Sequence, residues 1–121
     1  YIPNTVVYTG THDNNTIKGW SEKDLTPQDR QRLFNYLGKE VSLEQLPKEV
    51  IRLAMMSVAN TVIIPMQDIL GLGEEARMNR PSIAQGNWQW RLLSDQLTSS
   101  HAEMLLKLTY LYGRASEHVS L

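Results

Sequence analysis

Two short apolar runs without alternation stand out from a chain whose other apolar positions recur every three or four residues. The first is Thr5–Thr9, TVVYT, with Val6, Val7 and Tyr8 consecutive and Gly10 ending the run. The second is Thr61–Met66, TVIIPM. Short β-branched runs with no period of two read as strands that are apolar on both faces, the pattern of a covered and usually parallel sheet. Pro65 has no N–H for a ladder, so it is placed at the carboxyl end of the second strand, where the chain leaves the sheet.

Helical patterns lie between and after these runs. Thr26 is a good N-cap, Pro27 suits the first helical position, and Gln28 and Asp29 follow in the first turn. Leu33, Tyr36 and Leu37 share one face and Gly38 suits the C-terminal stop, which predicts a helix over 27–37. Val50, Ile51, Leu53, Ala54, Met55 and Val58 form a broad stripe that predicts a second helix over 47–58, with Asn60 as its end. Strand, helices, strand is a βαβ unit, and it predicts parallel strands joined by a right-handed crossover. Asn14–Trp20 reads as polar, with one helical turn broken at Gly19, and Trp20 reads as either a lid or a packing residue. Residues 67–91 carry Gly71, Gly73, Pro81 and Gly86 and read as one long irregular loop, in which Trp88 and Trp90 would point to opposite sides if extended. A last helix is predicted over 99–112, capped by Thr98 and stopped by Gly113, with Ala102, Leu105, Leu106, Thr109 and Leu111 or Tyr112 inward. Residues 114–121 read as a tail, and there is no internal repeat or low-complexity segment.

Composition narrows the class. The 121 residues suit a single domain, and 41% hydrophobic with 21% charged residues is ordinary for a soluble protein. Twelve basic residues against thirteen acidic ones give a net charge of −1, so neither nucleic acid nor an anionic membrane is indicated as a partner, and a neutral substrate fits better. The absence of cysteine excludes disulfides and thiolate chemistry and suits a reducing, cytoplasmic setting. No signal peptide is recognisable, and the apolar runs fall far short of the roughly 18–20 residues a spanning helix needs. Tyr1 stands in place of an initiator methionine close to a strand, so the chain is expected to be a piece of a longer protein.

Candidate chemistry gathers just beyond the first strand, at Thr11, His12, Asp13 and Asn14, because open and closed parallel sheets carry their sites at the carboxyl ends of strands. There an aspartate can act as base, nucleophile, metal ligand or electrostatic stabiliser, and a histidine can donate to a polar substrate. The structural alternative is that Asp13 or Asn14 merely caps the following turn. No metal is expected: His101 and His118 have no spacing that would hold one ion and read as surface residues. Gly71 and Gly73 lack the lysine and further glycines of a phosphate loop. Trp88 and Trp90 with Asn79, Asn87 and Arg91 match what a sugar cleft uses, aromatic faces edged by planar polar groups, while either tryptophan could instead anchor the loop.

The segments YTGTHDNNTIKGW, IIPMQDILGLGEEARMNRPSIAQGNWQWR and LTSSHAEMLLKLTYLYGR resemble, in order and spacing, the carboxyl-terminal quarter of the 4-α-glucanotransferases known as amylomaltase or disproportionating enzyme, glycoside hydrolase family 77. The resemblance implies an α/β fold that is the last quarter of a TIM (β/α)8 barrel, with 5–9 as strand seven, 61–66 as strand eight, 27–58 as their helical connection and 99–112 as the last barrel helix. It implies transfer of α-1,4-glucan segments between maltooligosaccharides by a retaining mechanism, without a cofactor, from an aspartate nucleophile and a glutamate acid/base. Both of those carboxylates are expected to lie on strands that precede Tyr1, leaving the piece inactive alone. Asp13 matches the family's third carboxylate, a transition-state stabiliser, and His12 its neighbour on the same sugar ring. Substrate binding is expected of His12, Asn14, Asp68 and Asn79, with a structural role as the other option for Asp68. A non-catalytic carbohydrate-binding or interaction module is the competing reading. With open sheet edges, the piece is expected to self-associate.

Overall fold

The structure, a computed structural model, describes residues 4–11, 13–81 and 83–115. The expectations placed on Tyr1, His12, His118 and the tail beyond residue 115 fall outside the described residues.

The fold is α/β. Strand β1 (Val6–Tyr8) pairs in parallel with β2 (Thr61–Ile63) in the register Val6↔Thr61, Val7↔Val62, Tyr8↔Ile63. Three helices lie between them in sequence: α1 (Ile17–Lys23), α2 (Pro27–Leu37) and α3 (Leu46–Met56). After β2 come a single-turn helix α4 (Met66–Ile69), a 3-10 turn (Glu74–Ala76) and α5 (Ser99–Leu111).

Helix α2 has Thr26 as its N-cap, with the hydroxyl accepting from the Asp29 N–H, and Gly38 as its end at φ 79°, a conformation glycine adopts without strain. Helix α3 supplies more of the core than any other element. Its Leu46, Ile51, Ala54 and Met55 are buried, and Ala54 packs with Val7, Ala59 and Val62. It stops at Met56, short of Val58, because Ser57 turns extended there and Val58 lies outside the stripe, exposed.

The sheet is covered on one face only, contrary to the pattern of its sequence. Val7 and Val62 meet the α3 side, whereas Val6, Tyr8 and Ile63 on the other face are about half exposed. Alternation along a strand sends neighbours to opposite faces, so an apolar run can have one face wrapped by this chain and the other bare.

Four local expectations change. Strand two ends at Ile63, not Met66, because Pro65 becomes the residue at which α4 begins. Asn14–Trp20 is not a broken turn: α1 runs through Gly19, which is buried where helix and 3-10 turn meet. A Cβ there would lie 2.9 Å from the backbone nitrogen of Glu74, so glycine is used for close approach and not as a stop. Residues 67–91 are not one structureless loop, since α4 and the 3-10 turn lie within them. Trp88 has φ 61°, so Trp88 and Trp90 do not alternate along an extended strand.

Helix α5 turns part of the expected stripe inward, Leu105, Thr109 and Tyr112, but not all of it. Met104, Leu105, Leu108, Thr109 and Tyr112 are half-buried, while Ala102, Leu106 and Leu111 face outward. The helix is tied to α3 by polar contacts at its end. Arg52 Nε donates to the Tyr112 hydroxyl (2.6 Å), and Arg114 donates to the carbonyls of Met55 and Ser57 (both 2.8 Å). His101 is not a free surface residue, because its Nδ1 accepts from the Thr98 N–H (3.0 Å) and so completes the start of α5. Among the described residues no helix is long and apolar enough to cross a membrane.

Candidate active site

The two strands end side by side and their carboxyl ends feed the two loops that carry the chemistry-bearing residues. Beyond β1 lie Thr11, Asp13 and Asn14, ahead of α1. Beyond β2 it enters α4, the 3-10 turn and the segment around Arg77–Asn79. Asp68, on α4, joins the two. It is buried (3% exposed), its Oδ2 accepts from the Thr9 hydroxyl (2.9 Å) and its Oδ1 accepts from the Ile17 N–H (2.9 Å). Ile17 is the first residue of α1, so the carboxylate meets one of the N–H groups that a helix leaves without an internal partner. The Thr16 hydroxyl takes another, from Gly19 (3.0 Å).

Burial holds the Asp68 carboxyl above its ordinary value of 3.8, and the hydrogen bonds from Ile17 and Thr9 pull the other way without reversing it. With both oxygens engaged inside the protein, the structural role is the one this geometry favours for Asp68, although the residue also lines a cleft of about 480 Å³ together with Tyr8, Thr11, Asn14, Gln67 and Arg77.

Asp13 is exposed and is gripped from the second loop. The Asn79 side-chain amide donates to its carboxylate, and Arg77 Nη2 donates to its backbone carbonyl (2.8 Å). Arg77 Nε also donates to the Asn79 carbonyl (3.0 Å). Asp13, Tyr8, Trp20 and Arg77 line a second cleft of about 560 Å³, which shares Tyr8, Thr11, Asn14, Asn15 and Arg77 with the first but not Asp13. Trp20 therefore borders the site, 38% exposed.

Asn14 is turned inward to its own loop: its Oδ1 accepts from the N–H (2.8 Å) and hydroxyl (2.9 Å) of Thr11, an arrangement in which an asparagine side chain closes a turn. Asn87 and Arg91, proposed from sequence as edges of a sugar cleft, are spent within their own segment. The Asn87 amide exchanges hydrogen bonds with the main chain of Arg80 and donates to the Ile83 carbonyl (2.7 Å), and Arg91 Nη1 donates to the carbonyls of Trp88 and Trp90. They shape a compact loop held by its own side chains. Neither tryptophan lines the two clefts.

The contributors that the sequence did not announce are Thr9, Gly19, Glu74 and Arg77. Glu74 accepts from Lys23 (2.6 Å) and lies 3.6 Å from Arg80, an arrangement that lowers its carboxyl and raises the Lys23 ammonium. None of these four falls in a periodic pattern, and each partner lies on another element. Among the described residues no group of three or more His, Cys, Asp or Glu side chains could hold a metal ion.

The described residues thus form an α/β unit in which the carboxyl ends of two parallel strands present an exposed aspartate, held at its side chain by Asn79 and at its main chain by Arg77, beside open clefts. The profile of the 4-alpha-glucanotransferase family matches residues 1–97, and the chain belongs to that family. It is 50% identical over 115 residues to the 4-alpha-glucanotransferase of Synechocystis sp., a match that covers 95% of this chain and 22% of the relative. The 4-alpha-glucanotransferase of Aquifex aeolicus is 48% identical over 111 residues, covering 92% and 22%. The structure superimposes on amylomaltase from Streptococcus agalactiae, solved in complex with acarbose, with a TM-score of 0.88 at 37% identity, over 96% of this chain and 23% of that one. The chain thus spans about a fifth of the length of the curated relatives it matches.

Proposed function

We propose that this chain is the carboxyl-terminal part of a TIM-barrel 4-α-glucanotransferase, with β1 and β2 as its seventh and eighth strands, and that the whole protein moves α-1,4-glucan segments between maltooligosaccharides with retention. The observation that carries the reading is the exposed Asp13 at the carboxyl end of a parallel strand, its carboxylate held by Asn79 and its main-chain carbonyl by Arg77. The half-covered sheet supports the barrel: helices pack on one face, and the bare face of Tyr8 and Ile63 borders the 480 Å³ cleft, as an inward face would at a barrel mouth. The acarbose complex of the structural neighbour supports a saccharide ligand.

In this reading Asp13 contributes no proton transfer. Its fixed negative charge faces the positive charge that builds on the sugar ring as the glycosidic bond breaks, and it accepts from the ring hydroxyls next to the anomeric carbon. His12 holds the same ring and Asn79 orients the carboxylate and reaches the sugar edge, while Asn14 and Asp68 shape the wall. The nucleophile and the acid/base come from the part of the barrel outside these residues, so residues 1–121 alone are inactive. A cytoplasmic setting belongs to the same reading, and with strand edges open the isolated piece self-associates.

The test is glucan transfer from maltotriose by the gene product that carries this segment. Asp13→Asn, which keeps the shape and removes the charge, is expected to lower turnover by about 100-fold or more. Unchanged transfer in that variant would remove Asp13 from the chemistry. Calorimetric titration of residues 1–121 with maltooligosaccharides is expected to give almost no heat, and a clear saturable isotherm would favour a sugar-binding module instead.

A further inference from the structure

We infer that Arg77 is the positioning residue of this site, a role that rests on the glucan-transfer reading above. Asp13 stands on an exposed turn between β1 and α1. A closed circuit of contacts ties it to the segment beyond β2. Arg77 Nη2 donates to the Asp13 carbonyl (2.8 Å), Arg77 Nε donates to the Asn79 carbonyl (3.0 Å), and the Asn79 amide returns to the Asp13 carboxylate. One planar fork therefore sets the spacing of two main-chain segments that are 66 positions apart in sequence, and the carboxylate–amide contact follows from that spacing.

The fork has a firm base. Ala76, the residue before it, is 1% exposed, and its carbonyl accepts from Gln67 Nε2 (3.2 Å). The Arg77 N–H donates to the Glu74 carbonyl (3.0 Å), and the Glu74 side chain is tied to Lys23 on α1. Arg77 is thus attached below to the core and above to the turn that carries Asp13. Its guanidinium is directed at carbonyl oxygens, which makes it a clamp on the backbone. A lysine at this position could reach one carbonyl but has no fork to span both.

Misplacing a charged group by about 1 Å in a pre-organised site can lower turnover by around 100-fold with little change in ground-state binding. In the full gene product, Arg77→Ala is expected to reduce kcat for transfer from maltotriose about 10- to 100-fold while KM moves less than about threefold. Millimolar guanidinium is expected to restore part of the Arg77→Ala activity and none of the activity of Asp13→Asn, and Arg77→Lys is expected to fall between wild type and alanine. Full kcat in Arg77→Ala alongside a collapsed Asp13→Asn overturns the positioning role and leaves the glucan reading standing. So does a kcat loss that guanidinium does not relieve and that comes with a lowered melting temperature, since that is the signature of simple destabilisation. Full activity in Asp13→Asn removes the glucan reading of the site, and the positioning role with it.

Discussion

The side-chain amide of Asn79 donates to the carboxylate of Asp13, joining the turn after β1 to the segment after β2. That contact stands beside the cleft lined by Asp13, Trp20 and Arg77. It brings an exposed acid to a defined orientation without burying it. Asn79→Ala is expected to leave the fold intact and to lower transfer by the full gene product about tenfold, because Arg77 still holds the main chain while the carboxylate can rotate. Asn79→Asp, which sets a like charge against Asp13, is expected to be the more severe change, and steady-state kinetics on maltotriose for the two variants decides the order.

Asp68 offers a stability prediction with a sign. Its carboxyl is raised by burial, so the folded state holds that proton more tightly than the unfolded chain does. Ionised Asp68 therefore opposes folding. The penalty is absent below the ordinary value of 3.8, grows as pH rises towards the elevated folded value, and is complete above it. Asp68→Asn loses the charge and one good acceptor but cannot titrate, so its deficit relative to wild type is expected to be larger near about pH 4 than near about pH 7. Urea titrations at both pH values measure this. A deficit that widens with pH would mean that the bonds from Thr9 and Ile17 outweigh desolvation.

Gly19 sits inside α1, where helix propensity alone would favour alanine by about 1 kcal/mol. Packing decides otherwise. The added Cβ would lie 2.3 Å from Asn15 Oδ1, a side-chain atom that can move, and 2.9 Å from the Glu74 backbone nitrogen, which cannot move without shifting the 3-10 turn. Gly19→Ala is expected to destabilise by about 1–3 kcal/mol, read as a lowered denaturation midpoint. A rise in stability would show that the turn can yield.

The bare sheet face predicts association of the isolated piece. Tyr8 is 53% and Ile63 45% exposed, and among the described residues each strand has an unpaired edge. Light scattering of residues 1–121 at tens of micromolar is expected to show dimers or larger species, and the double substitution Tyr8→Lys, Ile63→Lys is expected to shift the population towards monomer. A monodisperse wild-type monomer contradicts this.

Sequence alone was sufficient where the cause is local. Thr26, Pro27 and Gly38 set both ends of α2 because caps act through neighbouring backbone groups, and the stripe on α3 selected its buried face because burial in a helix follows a period of 3.6. The β-branched runs marked the two strands, and Asp13 drew attention as a carboxylate just past the first of them, with turn capping as its alternative use. Only tertiary structure decided the rest. Gly19 could be taken for a breaker until the 3-10 turn was seen against it, Pro65 for a strand residue until α4 began there, and Asn87 and Arg91 for ligand-facing groups until their own loop consumed them. Arg77 and Asn79 lie more than sixty residues from Asp13, and no periodicity records a partnership across that distance. It exists because two parallel strands end side by side, so that loops remote along the chain leave the sheet at adjacent points.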